Sequence, residues 1–294
     1  MKKVAIITDG SCELPDDLIE RYDIDVVPLA VIFEKTNERF YVTGESGTMS
    51  KDLFYKKLRQ EIPKTDVPLP KVFYGYFMEA AKKADSVIAI FVSNKLSKVI
   101  LNAKSAVSGI HDKDITIVDS CVGGPALGLL VLEAAKMAQD CRSKGEILQS
   151  VNDLIPQVSH TAILDTLNNI YRSGRVGWLR KSLGEAFKIK PILHFENGET
   201  SNGGNFRGRE EVLNGLKRLA PYALKHSVTD EILIWHSRNI EEAEELKETL
   251  SKNNRYSKNI RIIEAGPIIG GYMGEKMLGL IYLGDFKDNW LLGE

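Results

Sequence analysis

The residues best placed to do chemistry lie in Val87–Ala103, where a hydroxyl-bearing turn joins an apolar run to a helical pattern. Val87–Val92 is short, apolar and rich in β-branched residues, which favours a buried strand. From Ser97 onward apolar residues recur at helical spacing, so the hydroxyls of Ser93 and Ser97 fall at the start of a helix. Unpaired N–H groups and the positive end of the helix dipole attract a phosphate or a carboxylate to such a terminus. The simpler alternative is that one of these serines only caps the helix.

Two further strand–turn–helix units have the same form. The apolar runs Val4–Ile7 and Ile115–Asp119 are each followed by a polar turn and a helical pattern. This alternation predicts a mainly parallel, doubly wound sheet with helices on both faces. Ligands of such sheets bind beyond the carboxyl ends of the strands, so three polar turns at one edge indicate a binding site. Asp9 and Asp119 fall at two of these strand ends, and we interpret them as turn-holding residues rather than as general acids or bases.

The segment before the central strand contains three prolines within Ile62–Pro70. Proline fixes φ and removes a hydrogen-bond donor, so we expect a stiff connector that holds Thr65 in one place. Further upstream, Val26–Phe33 is predicted to be one strand, and Ser50 is predicted to cap a helix over Lys51–Gln60.

A second α/β domain is expected to begin at residue 158, which gives the domains 1–157 and 158–294 with a ligand cleft between them. In this part, strands are predicted at Phe187–Leu193 and Ile260–Glu264, with a helix over Glu210–Leu224. The stretch Gly266–Gly279 is glycine-rich and precedes the last predicted strand, Leu280–Leu283, and its part Gly270–Gly274 is interpreted as a loop. It is not a G-x-G-x-x-G motif between a strand and a helix, so nucleotide binding is not favoured.

Composition excludes several classes of protein. The net charge is −1 and 43% of the 294 residues are hydrophobic, as in a globular protein without general affinity for nucleic acid or a membrane surface. No signal peptide or membrane span is predicted, and the three scattered cysteines suit a reducing cytoplasm. No metal site and no Ser-His-Asp order is expected, because the five histidines are dispersed: His111, His160, His194, His226 and His236.

Seven short segments spread along the chain carry motifs of one known family. They are Thr8–Pro15, Lys64–Pro70, Ser93–Lys98, Asp119-Ser120 with Gly123 and Gly128, Asp165–Leu167 with Ser173–Val176, Ile189–Leu193, and Gly266–Gly270. For example, Thr8–Pro15 is similar to T-D-S-T-x-D-L-P, and Ile189–Leu193 matches I-K-P-I-L. Together these segments resemble the DegV family of bacterial fatty-acid-binding proteins.

The resemblance implies two α/β domains with one fatty acid buried along the cleft between them. The carboxylate would meet the hydroxyls of Thr65 and of Ser93 or Ser97, and the loop that carries Gly270 and Tyr272 would lie over it. No cofactor is implied besides the bound fatty acid. A separate fatty acid kinase would phosphorylate the presented carboxylate with ATP, and the carrier, a cytoplasmic monomer without catalytic residues, would take the product toward phospholipid synthesis.

Five positions depart from the family pattern. Val67 and Leu69 remove two polar groups from the segment after Thr65, and the other three are Tyr272, Asp66 and Lys98. Tyr272 stands where the family usually has a histidine, so a proton-sensitive donor becomes a neutral phenol. Asp66 replaces a serine beside Thr65, and Lys98 replaces the glycine after Ser97, where its charge would offset that of Asp66. These differences bear on the identity of the head group and of the kinase.

Three arginines are candidate contacts for the kinase: Arg175, Arg207 and Arg209. Arg175 follows a predicted helix end, and the other two flank Gly208 in a predicted loop. Exposed arginines at these places can pair with an acidic partner or with developing phosphate charge. The alternative is ordinary solvated charge, since surface pairs contribute little.

Two other functions stay open at this point. One is an α/β enzyme or phosphotransferase that acts on a small molecule in the same cleft, because the DegV fold is akin to a dihydroxyacetone kinase domain. The sequence has no P-loop and no legible base–nucleophile pair, which weighs against it. The other is a regulatory binding module.

Overall fold

The computed structural model describes residues 2–173 and 189–293. The chain divides into two compact units: unit 1 consists of Met1–Pro156 with Gly266–Ile268, and unit 2 of Gln157–Ala265 with Ile269–Glu294. Each unit combines helices with a β-sheet, and the predicted α/β fold class is confirmed. The boundary predicted between residues 157 and 158 stays a prediction.

Unit 1 contains two four-stranded sheets. Sheet A has the order β2-β1-β7-β8 with all strands parallel, and sheet B has the order β5-β4-β3-β6 with all pairs antiparallel. The elements of this part are β1 Lys2–Asp9, α1 Asp16–Tyr22, β2 Ile24–Val27, β3 Leu29–Phe33, β4 Glu38–Thr43, β5 Ser46–Gly47, α2 Lys51–Leu58, β6 Lys64–Asp66, α3 Pro70–Lys83, β7 Ala84–Phe91, α4 Val99–Val107, β8 Asp114–Asp119, α5 Pro125–Gln139, α6 Lys144–Leu154 and the 3₁₀ turn Ile155–Gln157.

Sheet A is covered on both of its faces. Every side chain of Val4–Ile7 and of Val87–Phe91 is buried, including residues that alternate between the two faces. Helices α3 and α5 both pack against β1 and β7. Because the strands are parallel, their carboxyl ends at Asp9, Phe91 and Asp119 lie at one edge, as the sequence predicts.

The prediction of a single strand over Val26–Phe33 is wrong. The chain forms β2 in sheet A, then passes Pro28, then forms β3 in sheet B. Proline has no N–H to give to a ladder, so the strand is interrupted there and its two halves pair in different sheets.

The proline-containing segment 62–70 is not simply a connector. Lys64–Asp66 forms β6, which pairs with β3 so that Thr65 lies opposite Val31. The expected rigidity therefore comes from sheet hydrogen bonds as well as from proline. Upstream of this segment, Ser50 caps α2 as predicted, with its side chain accepting a hydrogen bond from the N–H of Leu53.

Unit 2 is built on the six-stranded sheet C, with the order β11-β10-β9-β14-β12-β13. All its pairs are antiparallel except β12–β13. One face carries a core shared with α8, α9 and α11, in which Ile192, Leu216 and Leu246 are buried. The elements are β9 Val158–Ile163, α7 Asn168–Ser173, β10 Ile189–Glu196, β11 Glu199–Arg207, α8 Arg209–His226, β12 Glu231–His236, α9 Ile240–Asn253, β13 Asn259–Glu264, α10 Pro267–Met273, β14 Leu278–Leu283 and α11 Asp288–Leu292.

One local prediction for this part of the chain is corrected by the structure, and one strand was missed. The glycine-rich stretch whose part Gly270–Gly274 is interpreted as a loop contains the helix α10, which begins at Pro267 and ends before Gly274, where φ is +73°. Proline suits the first turn of a helix and a left-handed glycine ends it. Strand β11 was not predicted, although Asn197-Gly198 with φ of 51° and 83° forms the tight turn of a β-hairpin.

Replacing two helical glycines tests how closely α5 approaches the turn after β1. A Cβ at Gly128 would lie 2.5 Å from the carbonyl oxygen of Cys12, so Gly128→Ala should lower the free energy of unfolding by about 1–3 kcal/mol. The matched control is Gly75→Ala in α3, where a Cβ meets nothing within 4 Å. That change should raise the free energy of unfolding by about 0.5–1 kcal/mol in urea titrations. Equal effects at the two positions would contradict the close approach.

Candidate functional site

Asp9, the last residue of β1, joins two of the polar turns. Its Oδ1 accepts hydrogen bonds from the N–H of Ser11 (3.0 Å) and from the Ser11 hydroxyl. Its Oδ2 accepts from the N–H of Val92 (2.9 Å), just beyond the end of β7. Burial raises the pKa of the Asp9 carboxyl above its ordinary value, although the three hydrogen bonds act in the opposite direction. The turns after β1 and β7 are thereby held together by one buried carboxyl group.

The carboxylate of Asp119 likewise holds the turns after β7 and β8 together. Its Oδ1 accepts from the N–H of Cys121 (3.0 Å), and its Oδ2 accepts from the N–H of Asn94 (3.4 Å). A backbone bond from the N–H of Ser93 to the carbonyl of Val122 (2.8 Å) adds a second connection. These contacts confirm the interpretation of both aspartates as turn-holding residues.

The two candidate serines differ in their surroundings. Ser93 is buried, and its hydroxyl accepts from the N–H of Lys95 (3.3 Å) within the turn. Ser97 is half-buried, and its side chain makes no hydrogen bond to any residue that the structure describes. Ser93 therefore belongs to the scaffold of the turn, while the hydroxyl of Ser97 is available to a ligand.

Helix α4 begins two residues later than predicted, at Val99. The N–H groups of Leu96 and Ser97 both bond to the carbonyl of Ser93, so Ser97 still belongs to the turn. Lys98 is the N-cap residue, but its side chain makes no capping hydrogen bond. The first helical hydrogen bond runs from the N–H of Asn102 to the carbonyl of Lys98 (3.0 Å). Neither Ser93 nor Ser97 caps the helix, and its first N–H groups stay outside its own hydrogen-bond ladder.

Thr65 is carried by a segment that is bonded to α4. The side-chain amide of Asn102 donates to the carbonyl of Pro68 (2.9 Å), which ties the chain after β6 to the first turn of the helix. Asp66, which follows Thr65 in β6, forms an ion pair with Arg39 (2.7 Å). The expectation that Asp66 lies beside the ligand's carboxylate stays a prediction.

Gly270 and Tyr272 lie on α10, within the part of the chain assigned to unit 2. Tyr272 is half-buried. The carbonyl of Gly271 accepts from the side-chain amide of Asn169 (3.2 Å), and the carbonyl of Gly274 accepts from the hydroxyl of Ser237. The end of this helix is thus fixed by residues that follow β9 and β12.

A buried glutamate that the sequence analysis passed over connects the first and last motifs. Glu13 has a φ of 53° and is 1% exposed, and its Oε1 accepts from the N–H of Gly266 (2.9 Å) within unit 1. The signal available in the sequence was its place inside the Thr8–Pro15 motif. A charged residue rarely occupies such a position without a buried partner.

A second missed connection joins two motifs of unit 2. The ammonium group of Lys190 lies 2.6 Å from Oδ1 of Asp165 and 2.9 Å from the Asp165 carbonyl oxygen. Both side chains are mostly buried. Segments 165–167 and 189–193, which look unrelated in sequence, therefore hold each other in place.

Two of the three candidate partner arginines, Arg207 and Arg209, lie within the described residues. Arg175 lies outside the described residues. Arg207 and Arg209 are not in a loop: Arg207 is the last residue of β11 and is exposed, and Arg209 is the first residue of α8. The guanidinium of Arg209 pairs with both carboxylate oxygens of Glu242 and donates to the carbonyl of Lys276 (2.6 Å). Burial raises the pKa of Glu242, but the hydrogen bonds from Arg209 and Asn239 lower it further, below its ordinary value.

Residues 2–173 and 189–293 hold neither a metal-binding cluster nor a helix that could span a membrane. No group of three or more His, Cys, Asp or Glu side chains there is arranged to hold a metal ion. No helix there has both the length and the apolar character needed to cross a bilayer.

Comparison with known proteins identifies one family. The family model described as "Uncharacterised protein, DegV family" matches residues 3–285. A DegV domain-containing protein of Caldanaerobacter subterraneus is 30% identical over 283 residues, which are 96% of this chain and 99% of that protein. A DegV domain-containing protein of Clostridium perfringens is 29% identical over 294 residues, covering 98% and 100% of the two chains.

Solved structures show the same fold. The DegV fatty acid binding protein of Bacillus subtilis matches with a TM-score of 0.85 at 24% identity, covering 97% of this chain and 100% of that one. A fatty-acid-binding DegV family protein of Thermus thermophilus has a TM-score of 0.84 at 23% identity and the same coverage. A stearic-acid-binding protein of Eubacterium ventriosum has a TM-score of 0.83 at 19% identity, covering 97% and 98%.

The raised pKa of Asp9 gives stability a pH dependence of known sign. Its folded pKa exceeds the unfolded value of about 3.9, so its contribution to stability is complete below that pH and is lost as the pH rises through the folded pKa. Asp9→Asn cannot titrate. The free energy of unfolding of wild type minus that of Asp9→Asn should therefore fall as the pH rises from about 4 to 7. Urea unfolding at several pH values measures this difference, and a constant or rising difference would contradict the assignment.

Proposed function

The chain belongs to the DegV family, and on that premise we propose that it binds a long-chain fatty acid and presents the carboxylate to a separate fatty acid kinase. The observation that carries the proposal is the full-length likeness to fatty-acid-binding proteins, over 97% of this chain. In this role the protein is a cytoplasmic carrier that acts as a monomer, takes no cofactor besides its ligand and has no catalytic residue of its own.

The head group is proposed to bind at the carboxyl edge of sheet A, near Ser97. The hydroxyl of Ser97 and the uncapped N-terminus of α4 offer neutral donors and the positive end of a dipole. Thr65 adds a second hydroxyl from a segment bonded to the same helix. Neutral donors hold a carboxylate without burying a counter-charge, which leaves it reactive toward a phosphoryl donor.

The acyl chain supplies most of the binding free energy in this proposal. Each methylene removed from water contributes about 0.8 kcal/mol, whereas a hydrogen bond to a charged head group contributes about 1.5–3 kcal/mol. Affinity is therefore expected to depend on chain length, while the polar residues decide which end of the ligand is presented.

Gly270 and Tyr272 are proposed to complete the head-group site from α10. The phenol of Tyr272 can donate one hydrogen bond to a carboxylate oxygen and stays neutral through the physiological pH range. The anchoring of this helix end by Asn169 and Ser237 supports a fixed position for it.

The kinase is proposed to contact the arginine-bearing surface of unit 2. Arg207 is exposed at the end of β11, and it makes no ion pair with the residues that the structure describes. Arg209 is already paired with Glu242, so its charge is largely neutralised and its role in partner contact would be secondary. Arg175 is proposed as a further contact for the kinase on the family resemblance alone.

Organic extraction of the purified protein followed by mass spectrometry tests the proposed function. A C14–C18 fatty acid in near-stoichiometric amount is the expected result. A protein that carries no lipid and binds ATP would instead favour the alternative of a phosphotransferase, and a protein that binds neither would favour a regulatory module.

Removing single hydroxyls tests the head-group site. Ser97→Ala and Thr65→Ala should each weaken fatty acid binding by about 1.5–3 kcal/mol, because each removes a donor to a charged group. Ser93→Ala should chiefly reduce stability, since the Ser93 hydroxyl serves the turn. Fluorescence competition against a labelled fatty acid measures the affinities.

The matched control for these variants is Ser105→Ala. Ser105 is an exposed serine on the opposite end of the same helix, so its removal should leave affinity unchanged. Wild-type affinity in both Thr65→Ala and Ser97→Ala would disprove the proposed site.

The phenol of Tyr272 leads to a prediction about pH. Because it cannot gain a positive charge, fatty acid affinity should show no imidazole-like step between about pH 5.5 and 7.5. Tyr272→Phe should weaken binding by about 0.5–1.5 kcal/mol through loss of a neutral hydrogen bond. Tyr272→His should introduce a step into the same titration. If Tyr272→Phe binds as tightly as wild type, the phenol is a packing residue of α10 and not a donor.

A further inference from the structure

We propose that Glu13 is a positioning residue for the helix α10, and that it thereby controls how Tyr272 binds the head group of the ligand. The inference deepens the proposed function and rests on it, since α10 carries Gly270 and Tyr272. In this role Glu13 acts through the backbone of Gly266 and not by contact with the fatty acid.

Glu13 combines a backbone conformation and a degree of burial that are both unusual for glutamate. Its φ is 53°, in the left-handed region that glycine and asparagine enter more readily. It is 1% exposed, although glutamate is almost never fully buried unless it is paired. Residues in such conformations persist only where their surroundings hold them, and they cluster at functional sites. Both features therefore indicate that the side chain of Glu13 is needed at this place.

The turn that carries Glu13 is fixed on both sides by contacts within unit 1. The N–H of Cys12 donates to the carbonyl of Asp9 (3.1 Å). The carbonyl of Leu14 accepts from the N–H of Glu45 (3.0 Å). Because its two chain neighbours are held in this way, the carboxylate of Glu13 starts from a fixed position, and whatever it binds is fixed as well.

The carboxylate of Glu13 binds the chain at the residue before α10. Its Oε1 accepts from the N–H of Gly266 (2.9 Å), and α10 begins at the next residue, Pro267. A hydrogen bond to a carboxylate is stronger than one between neutral groups. The missing side chain of Gly266 permits the approach, since a Cβ there would lie 3.2 Å from Oε1 of Glu13 and 3.5 Å from the carbonyl oxygen of Gly44.

Helix α10 is held at its two ends by residues that lie outside it. Gly266–Ile268 is assigned to unit 1 and Ile269–Glu294 to unit 2, so the helix begins in one unit and ends in the other. Asn169 and Ser237 bond to carbonyls at its end, and Glu13 bonds to the residue before its start. A helix of seven residues has few hydrogen bonds of its own, so these contacts decide where its side chains lie.

A double-mutant cycle in fatty acid affinity tests the proposal on the full-length protein. Glu13→Gly removes the carboxylate and keeps the turn, because glycine adopts a positive φ without strain. Tyr272→Phe should weaken binding by about twofold to tenfold in the wild-type background. In the Glu13→Gly background the same change should have less than about a twofold effect, because the phenol is then no longer held in place. Ser97→Ala should weaken binding equally in both backgrounds, since its turn is held by Asp9.

Two further variants separate positioning from a general loss of stability. Glu13→Gln keeps an oxygen that can accept from the N–H of Gly266, so it should preserve the effect of Tyr272→Phe. The matched control is Glu231→Ala, which removes another buried carboxylate. Glu231 is the first residue of β12 and pairs with Arg261 (3.2 Å). Its removal should lower the free energy of unfolding and leave the effect of Tyr272→Phe unchanged.

Hydrogen exchange of the backbone amides gives a readout that does not depend on the head group. In Glu13→Gly the amides of α10 should exchange about tenfold faster than in wild type, because the contact at the start of the helix is lost. The amides of α4 should exchange at the wild-type rate. In Glu13→Gln the amides of α10 should stay close to wild type.

The outcomes distinguish this inference from the proposed function. If Tyr272→Phe has no effect in wild type, the proposed head-group contact fails, while faster exchange in α10 still supports Glu13 as the residue that positions the helix. Additive effects of Glu13→Gly and Tyr272→Phe on affinity would overturn the proposal. Wild-type exchange of α10 in Glu13→Gly would also overturn it, as would loss of the Tyr272→Phe effect in Glu231→Ala.

Discussion

The buried carboxyl group of Asp9 is the constraint on which the edge of sheet A depends. It is removed from water at a cost, and that cost is offset by three hydrogen bonds from Ser11 and Val92. These bonds tie the turn after β1 to the end of β7, and Asp119 extends the connection to the turn after β8. The turn that presents Ser97 is therefore part of a cross-linked rim, which is what a preorganised anion site needs.

The need to pair each buried charged group with a partner also explains why the recognisable motifs are scattered along the chain. Glu13, from the first motif, bonds Gly266, from the last, and Lys190 pairs with Asp165 from the motif before it. Each pair buries a charged group together with its partner, since an unpaired charge would be strongly destabilising in such a place. The motifs are mostly scaffold, and the hydroxyls proposed to contact the ligand are few.

The sequence predicts the parallel sheet and its polar edge because both rest on local patterns, such as apolar strands followed by hydroxyl or glycine turns. It does not predict the break at Pro28 or the strand containing Thr65, because these depend on pairing with a distant strand. The helix α10 was hidden by its glycines, which lower helix propensity until tertiary contacts such as that from Asn169 fix the chain. Strand β11 was predictable, since Asn197-Gly198 is a hairpin signal.

The central claim is that a fatty acid lies with its carboxylate at the N-terminus of α4. A crystal structure of the protein with its bound lipid tests this most directly. The account predicts a carboxylate oxygen within hydrogen-bond distance of the Ser97 hydroxyl, about 2.5–3.0 Å, with the acyl chain leading away from the edge of sheet A. A carboxylate bound elsewhere, or a methyl end at Ser97, would contradict it.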